Sequence, residues 1–245
     1  QACTVTIAPN DLSNVWVVQN SAGNTVTLSQ GSGANVVIPN GGIKMIATDG
    51  AGSGAAVTDV LDLTGGTGNV GLGSGSLGTG LTTGTDNVAV GENAGDALTS
   101  GSDNTLVGDN AGGALTTGGN NIAIGSAALD AEDTGTDSVA IGFNALTAQN
   151  NDSTNYNVAI GSSAGAAITS GVQNTLIGGL AGTSLTTPNQ NVAVGHGALD
   201  AETAGARNTA IGTNSLTTQN VTTGGNIYNV GLGYFTGANI TTGVE

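Results

Sequence analysis

The chain has 245 residues, 38% of them apolar, and carries a formal charge of −15 with only two Lys or Arg residues. So few cations exclude a surface that neutralises phosphates, and we expect neither nucleic acid nor an anionic membrane as a partner. The single cysteine, Cys3, excludes an intrachain disulfide and a thiolate metal cluster, and 44 glycines with only three prolines do not fit collagen.

The apolar residues are mostly Ala, Val, Ile and Leu, because the chain has only two Phe, three Tyr and one Trp. Such residues predict a core of thin, regular layers. The first five residues lack the basic start and the apolar stretch of a signal peptide, and no apolar run reaches 18 residues. We expect no export signal and no membrane insertion in this stretch, although either could lie on a longer parent.

Residues 1–64 predict a small antiparallel β module. Trp16 is expected to anchor its core, and turn signals lie at Asn40-Gly41-Gly42 and Asp49-Gly50. The segment from Thr64 to Gly68 is the predicted boundary with the next domain, residues 65–245. The expected strands are Thr4–Ile7, Val15–Val18, Thr25–Leu28, Asn35–Ile38, Ile43–Ala47 and Val57–Leu63.

From residue 65 onward a five-residue phrase recurs ten times, as in Asn87-Val-Ala-Val-Gly91 and Asn121-Ile-Ala-Ile-Gly125. The intervals between its closing glycines are 17 residues in most cases and 21 at most. A near-constant period of this size is typical of stacked supersecondary units. We therefore predict a parallel β-solenoid, or β-roll, of about ten coils.

A second level of order is a duplicated block of four phrases, residues 87–156 and 157–228. Ala128-Leu-Asp-Ala-Glu132 matches Ala198-Leu-Asp-Ala-Glu202, and Tyr156 and Tyr228 close the two blocks. The longer intervals, 19 and 21 residues, fall at equivalent places. They predict two loops that leave the same side of the stack.

Each phrase is expected to form a short strand, because its second and fourth residues are usually β-branched or Leu and its third is small or Leu. The glycine in fifth place permits a bend that a Cβ would obstruct. The opening asparagines can form a ladder along the column or serve as simple turn residues. A second apolar pulse, as at Leu98 and Leu115, predicts a second strand in each coil.

The third residues of the phrases predict self-association. A coil of about 17 residues is too slim to bury both strand faces alone, so the face carrying these residues is expected to pack against copies of the chain, most simply as a homotrimer. The residues are Ala89, Leu106, Ala123, Ala140, Ala159, Leu176, Ala193 and Ala210.

The phrases resemble the head repeats of trimeric autotransporter adhesins, whose Ser/Asn-x-Ala-Ile-Gly units coil into left-handed parallel β-rolls with three chains around one axis. The resemblance covers roughly residues 69–237. This chain departs from it in its longer coil and in lacking a coiled-coil stalk or membrane barrel.

The stretch Val36 to Gly50, followed by Val57 to Leu63, looks like the small β beads in tail fibres of marine and cyanobacterial phages, which also carry glycine-rich Ala-Ile-Gly solenoid runs. What this resemblance implies is a trimeric virion appendage that contacts other virion proteins and a glycan or protein of the host surface.

Candidate chemistry is sparse, and we expect no catalytic residue, cofactor or resident metal. His196 is the only histidine, so no triad or multi-histidine site can form within one chain, and a surface role is expected; a ring of three around a trimer axis is the alternative. Asp130, Glu132 and Asp133, with Asp200 and Glu202 in the second block, are interpreted as solvated loops; a glycosidase pair and a weak calcium site are the alternatives.

The expected function is that of a passive fibre segment of a virus particle that supports attachment to a host. The last phrase is the most aromatic, so Tyr228, Tyr234 and Phe235 are the predicted surface contacts, with core or capping duty as the alternative. Two other functions stay open: the head of a bacterial surface adhesin, and a fibre that depolymerises polysaccharide. Ice binding is disfavoured, because Thr-x-Thr does not recur in each coil.

Overall fold

The computed structural model describes residues 3–7, 14–30, 32–33, 35–38, 43–48, 51, 57–63, 68–78 and 80–241. Within these ranges the chain consists of strands and turns. The two turn signals near residues 40 and 50 lie outside the described residues, as does most of the predicted boundary between Thr64 and Gly68.

Six strands precede the repeats, and their ends agree with the predicted ones to within one residue. Strands β2, β5 and β6 pair antiparallel, and so do β3 and β4. The pair β1–β3 is parallel, so the module is mixed rather than wholly antiparallel. The strands are β1 Cys3–Thr6, β2 Val15–Gln19, β3 Val26–Ser29, β4 Val36–Ile38, β5 Ile43–Thr48 and β6 Val57–Leu63.

The core of this module is aliphatic and small. Val26, Leu28, Val36, Ile38, Ile46 and Val57 form one buried cluster. Trp16 is paired with Ile46 across the β2–β5 ladder but is 43% exposed, so the prediction that it anchors the core is wrong. The two side chains lie on the same face of the sheet, because directly paired residues of antiparallel strands share a face. Strand β2 is the edge strand, and Trp16 stays exposed there whereas Ile46 is fully buried.

Ten three-residue strands then form a parallel sheet, one strand per coil. Each pairs in register with the strand one coil away, and β6 joins them to the first module through the pair Asp62–Gly71. The β-solenoid is thus confirmed. The strands are β7 Val70–Leu72, β8 Val88–Val90, β9 Thr105–Val107, β10 Ile122–Ile124, β11 Val139–Ile141, β12 Val158–Ile160, β13 Thr175–Ile177, β14 Val192–Val194, β16 Thr209–Ile211 and β18 Val230–Leu232. Two short strands, β15 Gly205–Ala206 and β17 Gly225–Asn226, pair with each other beside the column.

The alternation along each strand is as predicted, but the face on which the trimer argument relied is the one that meets the core of its own coil. In β8, Ala89 is fully buried inside the coil, whereas Val88 and Val90 point outward. The same holds for the other third residues, from Leu106 to Ala210, which are 0% exposed in one chain. The prediction that this face packs against other copies is wrong, because each coil closes over it.

The residues that close the coil are the leucines of the second apolar pulse. Leu98, Leu115 and Leu129 are fully buried and share one cluster with the third residues of the phrases. None of the three lies in a strand, so the predicted second strand per coil is also wrong. Positive φ values such as +59° at Gly95 and +54° at Leu129 interrupt the extended backbone there.

The glycine that closes each phrase is required by the stacking of coils. Gly91 has φ +140°, and a Cβ placed on it would lie 2.4 Å from the carbonyl oxygen of Gly108 in the next coil. No L side chain fits at that distance, so the repeat cannot vary at this position.

The asparagine ladder is confirmed. The side-chain oxygen of Asn87 accepts the backbone N–H of Asn104 at 3.1 Å and its side-chain amide at 2.9 Å, and Asn104 also donates to the carbonyl of Gly118 at 3.0 Å. These amides are buried, so the ladder satisfies polar groups that no water reaches. At Ser138, where asparagine is missing, Gln149 takes its place by donating to the serine hydroxyl and accepting from Asn157.

Candidate functional site

The aromatic rings lie on the surface. All six are between 43% and 74% exposed, and the cores contain only aliphatic side chains. Exposing every ring leaves large apolar surfaces in contact with water, a cost that folding alone does not require. The six rings are Trp16, Phe143, Tyr156, Tyr228, Tyr234 and Phe235.

Of the three predicted contact residues, the structure brings two together. Tyr234 and Phe235 lie in the turn after β18, with ring centroids 4.7 Å apart in an edge-to-face arrangement. Tyr228 instead packs with Arg207, whose guanidinium carbon lies 5.6 Å from the ring centroid. All three are exposed, which fits a contact surface better than core duty.

Tyr228 belongs to a column that sequence reasoning missed. Two residues before each three-residue strand of the solenoid sheet from β8 onward, one residue adopts φ between +51° and +64°. We call this column the corner ladder; its members are Asp86, Asp103, Asn120, Asp137, Tyr156, Gln173, Gln190, Arg207 and Tyr228. Reading one fixed position down the aligned repeats would have revealed it.

The upper part of the corner ladder is joined by hydrogen bonds between exposed side chains. Gln190 donates to Gln173 at 3.2 Å, and Arg207 donates through Nε to Gln190 at 2.9 Å and through a terminal nitrogen to the Tyr228 hydroxyl at 2.6 Å. These bonds hold the guanidinium in one direction. In the first block Asp137, the equivalent of Arg207, accepts only a local bond from Thr136 at 2.7 Å.

The second candidate surface is the outward side of the solenoid sheet, which we call the outer face. It consists of the first and third residues of the ten strands; 17 are aliphatic and three are threonine. Nine spacings of about 4.8 Å and a width of three residues give it a projected area of roughly 400 Å². An uncharged apolar patch of this size is often a functional surface.

The glutamates interpreted as solvated loop residues are buried, so that interpretation is wrong for them. Glu202 accepts the backbone N–H groups of Thr203, Ala204 and Gly205 within the turn, and that of Val221 in the long loop, at 2.7 to 3.1 Å. Its other oxygen accepts the Gln219 amide at 2.8 Å.

Glu132 also accepts hydrogen bonds from the turn and from the long loop, but from different donors. Its carboxylate accepts the N–H of Gly135 at 2.8 Å, the N–H of Asn151 at 3.4 Å, and the side-chain amides of Gln149 and Asn155 at 2.9 and 3.1 Å. Each glutamate therefore ties a long loop to the coil before it. In the sequence, the pair Glu132 and Gln149 of the first block recurs as Glu202 and Gln219 in the second. This repeated pair was the signal that the glutamates hold the loops.

The remaining acidic and histidine candidates stand apart from one another. Burial raises the pKa of Asp130, and the neighbouring carboxylates of Asp96 and Asp109 raise it further. His196 is exposed, as predicted. Among the described residues no group of three or more His, Cys, Asp or Glu side chains is placed to hold a metal ion.

Comparisons with models of protein families, with curated proteins and with solved structures found no match. The described part of the chain also contains no helix long and apolar enough to cross a membrane.

Proposed function

We propose that the chain is a non-catalytic structural segment of a fibre on a virus particle, such as a phage tail fibre, that supports attachment to a host surface. The observation that carries this proposal is the outer face, an uncharged apolar strip that runs the length of a column with a charge-poor, regular core. A second support is that every aromatic ring points into solvent.

The outer face gives the trimer a new basis. Three columns that meet through their outer faces around a common axis would remove the aliphatic strip of each chain from water. At about 25 cal/mol per Å², roughly 400 Å² contributes on the order of 10 kcal/mol per chain before the cost of association. Homotrimerisation thus remains the proposed assembly, through the face opposite to the one first expected.

A charge on the outer face tests this assembly. Ile141→Lys places an ammonium in the middle of the strip, and we expect it to convert the assembly to monomers, because an unpaired charge is costly to bury. The matched control is Thr147→Lys, a half-exposed position in a turn of the same coil. Size-exclusion chromatography with light scattering measures both masses. Trimers in both variants would remove the outer face from the interface.

The two other functions predict different observations. An adhesin head implies a parent gene that encodes a signal peptide and a C-terminal membrane barrel. A depolymerase implies release of reducing ends from capsule or lipopolysaccharide. Glu132 and Glu202 do not favour the second option, since their oxygens are buried and occupied by protein donors.

A further inference from the structure

Arg207 is a cation with neutral partners in an acidic chain. Its two hydrogen bonds go to the Gln190 amide oxygen and the Tyr228 hydroxyl, so the guanidinium keeps its full charge while its direction is fixed. The side chain is exposed. A planar guanidinium held in this way matches the geometry of a carboxylate.

The residues around Arg207 adopt a backbone conformation that their side chains do not favour. Asn and Asp are the residues other than glycine that accept positive φ most readily, and the first block uses Asp103, Asn120 and Asp137 in the corner ladder. The second block has Gln173, Gln190 and Arg207 at φ +61° to +64°. The fold would be served at least as well by Asn, so these larger side chains point to a surface role.

The shape of this part of the corner ladder suits an extended ligand. Tyr156 and Tyr228 stand at its two ends, four coils or roughly 19 Å apart, with two amides and the guanidinium between them. A strip one residue wide and polar in its middle lacks the apolar centre and the area of about 800 Å² that a protein partner needs. Hydroxyl-rich rings that stack on tyrosine and bond to amides fit it better.

The negative charge of the first block would limit how far such a ligand extends along the column. Between residues 87 and 156 there are nine acidic and no basic residues, whereas residues 157–228 contain two acidic residues and Arg207. An anionic chain lying along the column would be repelled beyond Tyr156, where the ladder continues with Asp137.

We infer that the corner ladder from Tyr156 to Tyr228 binds an acidic oligosaccharide, with a sugar carboxylate on Arg207, the Gln173 and Gln190 amides on sugar hydroxyls, and sugar rings against the two tyrosines. The inference rests on the proposed attachment function and names its receptor class.

The test uses the whole chain on an array of uronic-acid, sialylated and pyruvylated oligosaccharides, each beside its carboxyl-reduced form. Hits are quantified by isothermal titration calorimetry. We expect Arg207→Gln to weaken binding at least tenfold, Tyr228→Ala to weaken it severalfold, and carboxyl-reduced probes to bind at least tenfold more weakly. The control is Glu92→Gln, which removes one charge from an exposed residue of the first block and is expected to leave the affinity within twofold.

A gain of function sharpens the test. Asp137→Arg repeats Arg207 at the equivalent place in the first block, and we expect it to strengthen binding at least threefold for oligosaccharides long enough to pass Tyr156. Unchanged affinity in this variant overturns the role of charge in confining the ligand.

Three results overturn the site itself: no acidic probe binds in an Arg207-dependent way, neutral and acidic forms bind equally, or the only Arg207-dependent ligand is a protein. The mass of each variant in solution is measured alongside. A trimer that binds no acidic oligosaccharide removes this inference and leaves the proposed fibre assembly standing.

Discussion

Residues 87–156 and 157–228 share one fold coil for coil, yet they differ in net charge by eight: nine acidic and no basic residues against two acidic residues and one arginine. The buried columns are almost unchanged between the two blocks; Ala89, Ala123 and Ala140 have Ala159, Ala193 and Ala210 as their counterparts. The exposed columns differ, and Arg207 stands in the second block where the first has Asp137. A stacked repeat therefore constrains its interior column by column and leaves the outward positions free to acquire a function.

The two blocks also hold their long loops with different sets of hydrogen bonds. Glu202 accepts four backbone N–H groups, whereas Glu132 accepts two and relies on side-chain amides for the rest. The second loop is two residues longer, and the extra backbone donors belong to the turn that it covers.

The largest expected effect comes from removing these carboxylates. Glu202→Ala leaves four backbone donors without their acceptor, one of them buried and three half-buried, and we expect it to destabilise the fold by about 4 kcal/mol. Glu132→Ala leaves two backbone donors, and its flexible amide partners can turn elsewhere, so we expect about 2 kcal/mol. Urea unfolding measures both. Equal losses would show that the loops are held alike.

For the asparagine ladder we predict equal losses of stability in the two blocks. Asn104 and Asn174 occupy the same place in the two blocks and make the same bonds to the asparagine below and to a carbonyl opposite. We expect replacement of either by Ala to cost about 2 kcal/mol, because both leave buried backbone groups unsatisfied. Hydrogen exchange of the flanking strands reports each loss separately. A difference above 1 kcal/mol would mean that the blocks are not interchangeable in their cores.

The smallest expected effect concerns Asp130 and its equivalent Asp200. Burial and the carboxylates of Asp96 and Asp109 raise the pKa of Asp130, whereas Ala166 and Gly179 stand at those two places in the second block. Asp200 also accepts a hydrogen bond from Thr217 at 2.7 Å. We therefore expect Asp130→Asn to raise the midpoint of thermal unfolding slightly at neutral pH, and Asp200→Asn to lower it.

The pH dependence of that effect follows from the direction of the shift. A carboxyl whose pKa is higher in the folded than in the unfolded chain favours folding below its ordinary value of 3.8, and this contribution is lost as the pH rises through the raised value. The advantage of Asp130→Asn should therefore vanish below about pH 4. A constant advantage across the range would assign it to another cause.

The period, the strand ends and the asparagine ladder could be predicted from the sequence because each depends on a local pattern repeated ten times. The direction of the strand faces could not, because Val88 and Ala89 alternate in the same way whichever side meets the core. Leu98 and its equivalents decided the outcome: they fold back over Ala89, so the small residues became the interior.

The candidate site was predictable only in part. Tyr228, Tyr234 and Phe235 were conspicuous as rings in one phrase, but the neighbour that matters for Tyr228 is Arg207, 21 residues away and one coil below. The burial of Glu202 was equally hidden, because a glutamate beside Thr203 and Gly205 looks like a solvated turn until the carboxylate is seen to accept their N–H groups.

The central claim is that the outer face is covered by copies of the same chain. Sedimentation equilibrium of the purified chain tests it most directly. We predict a single species of three times 23.3 kDa, about 70 kDa, that persists on dilution. A compact monomer of 23.3 kDa at micromolar concentration would contradict it.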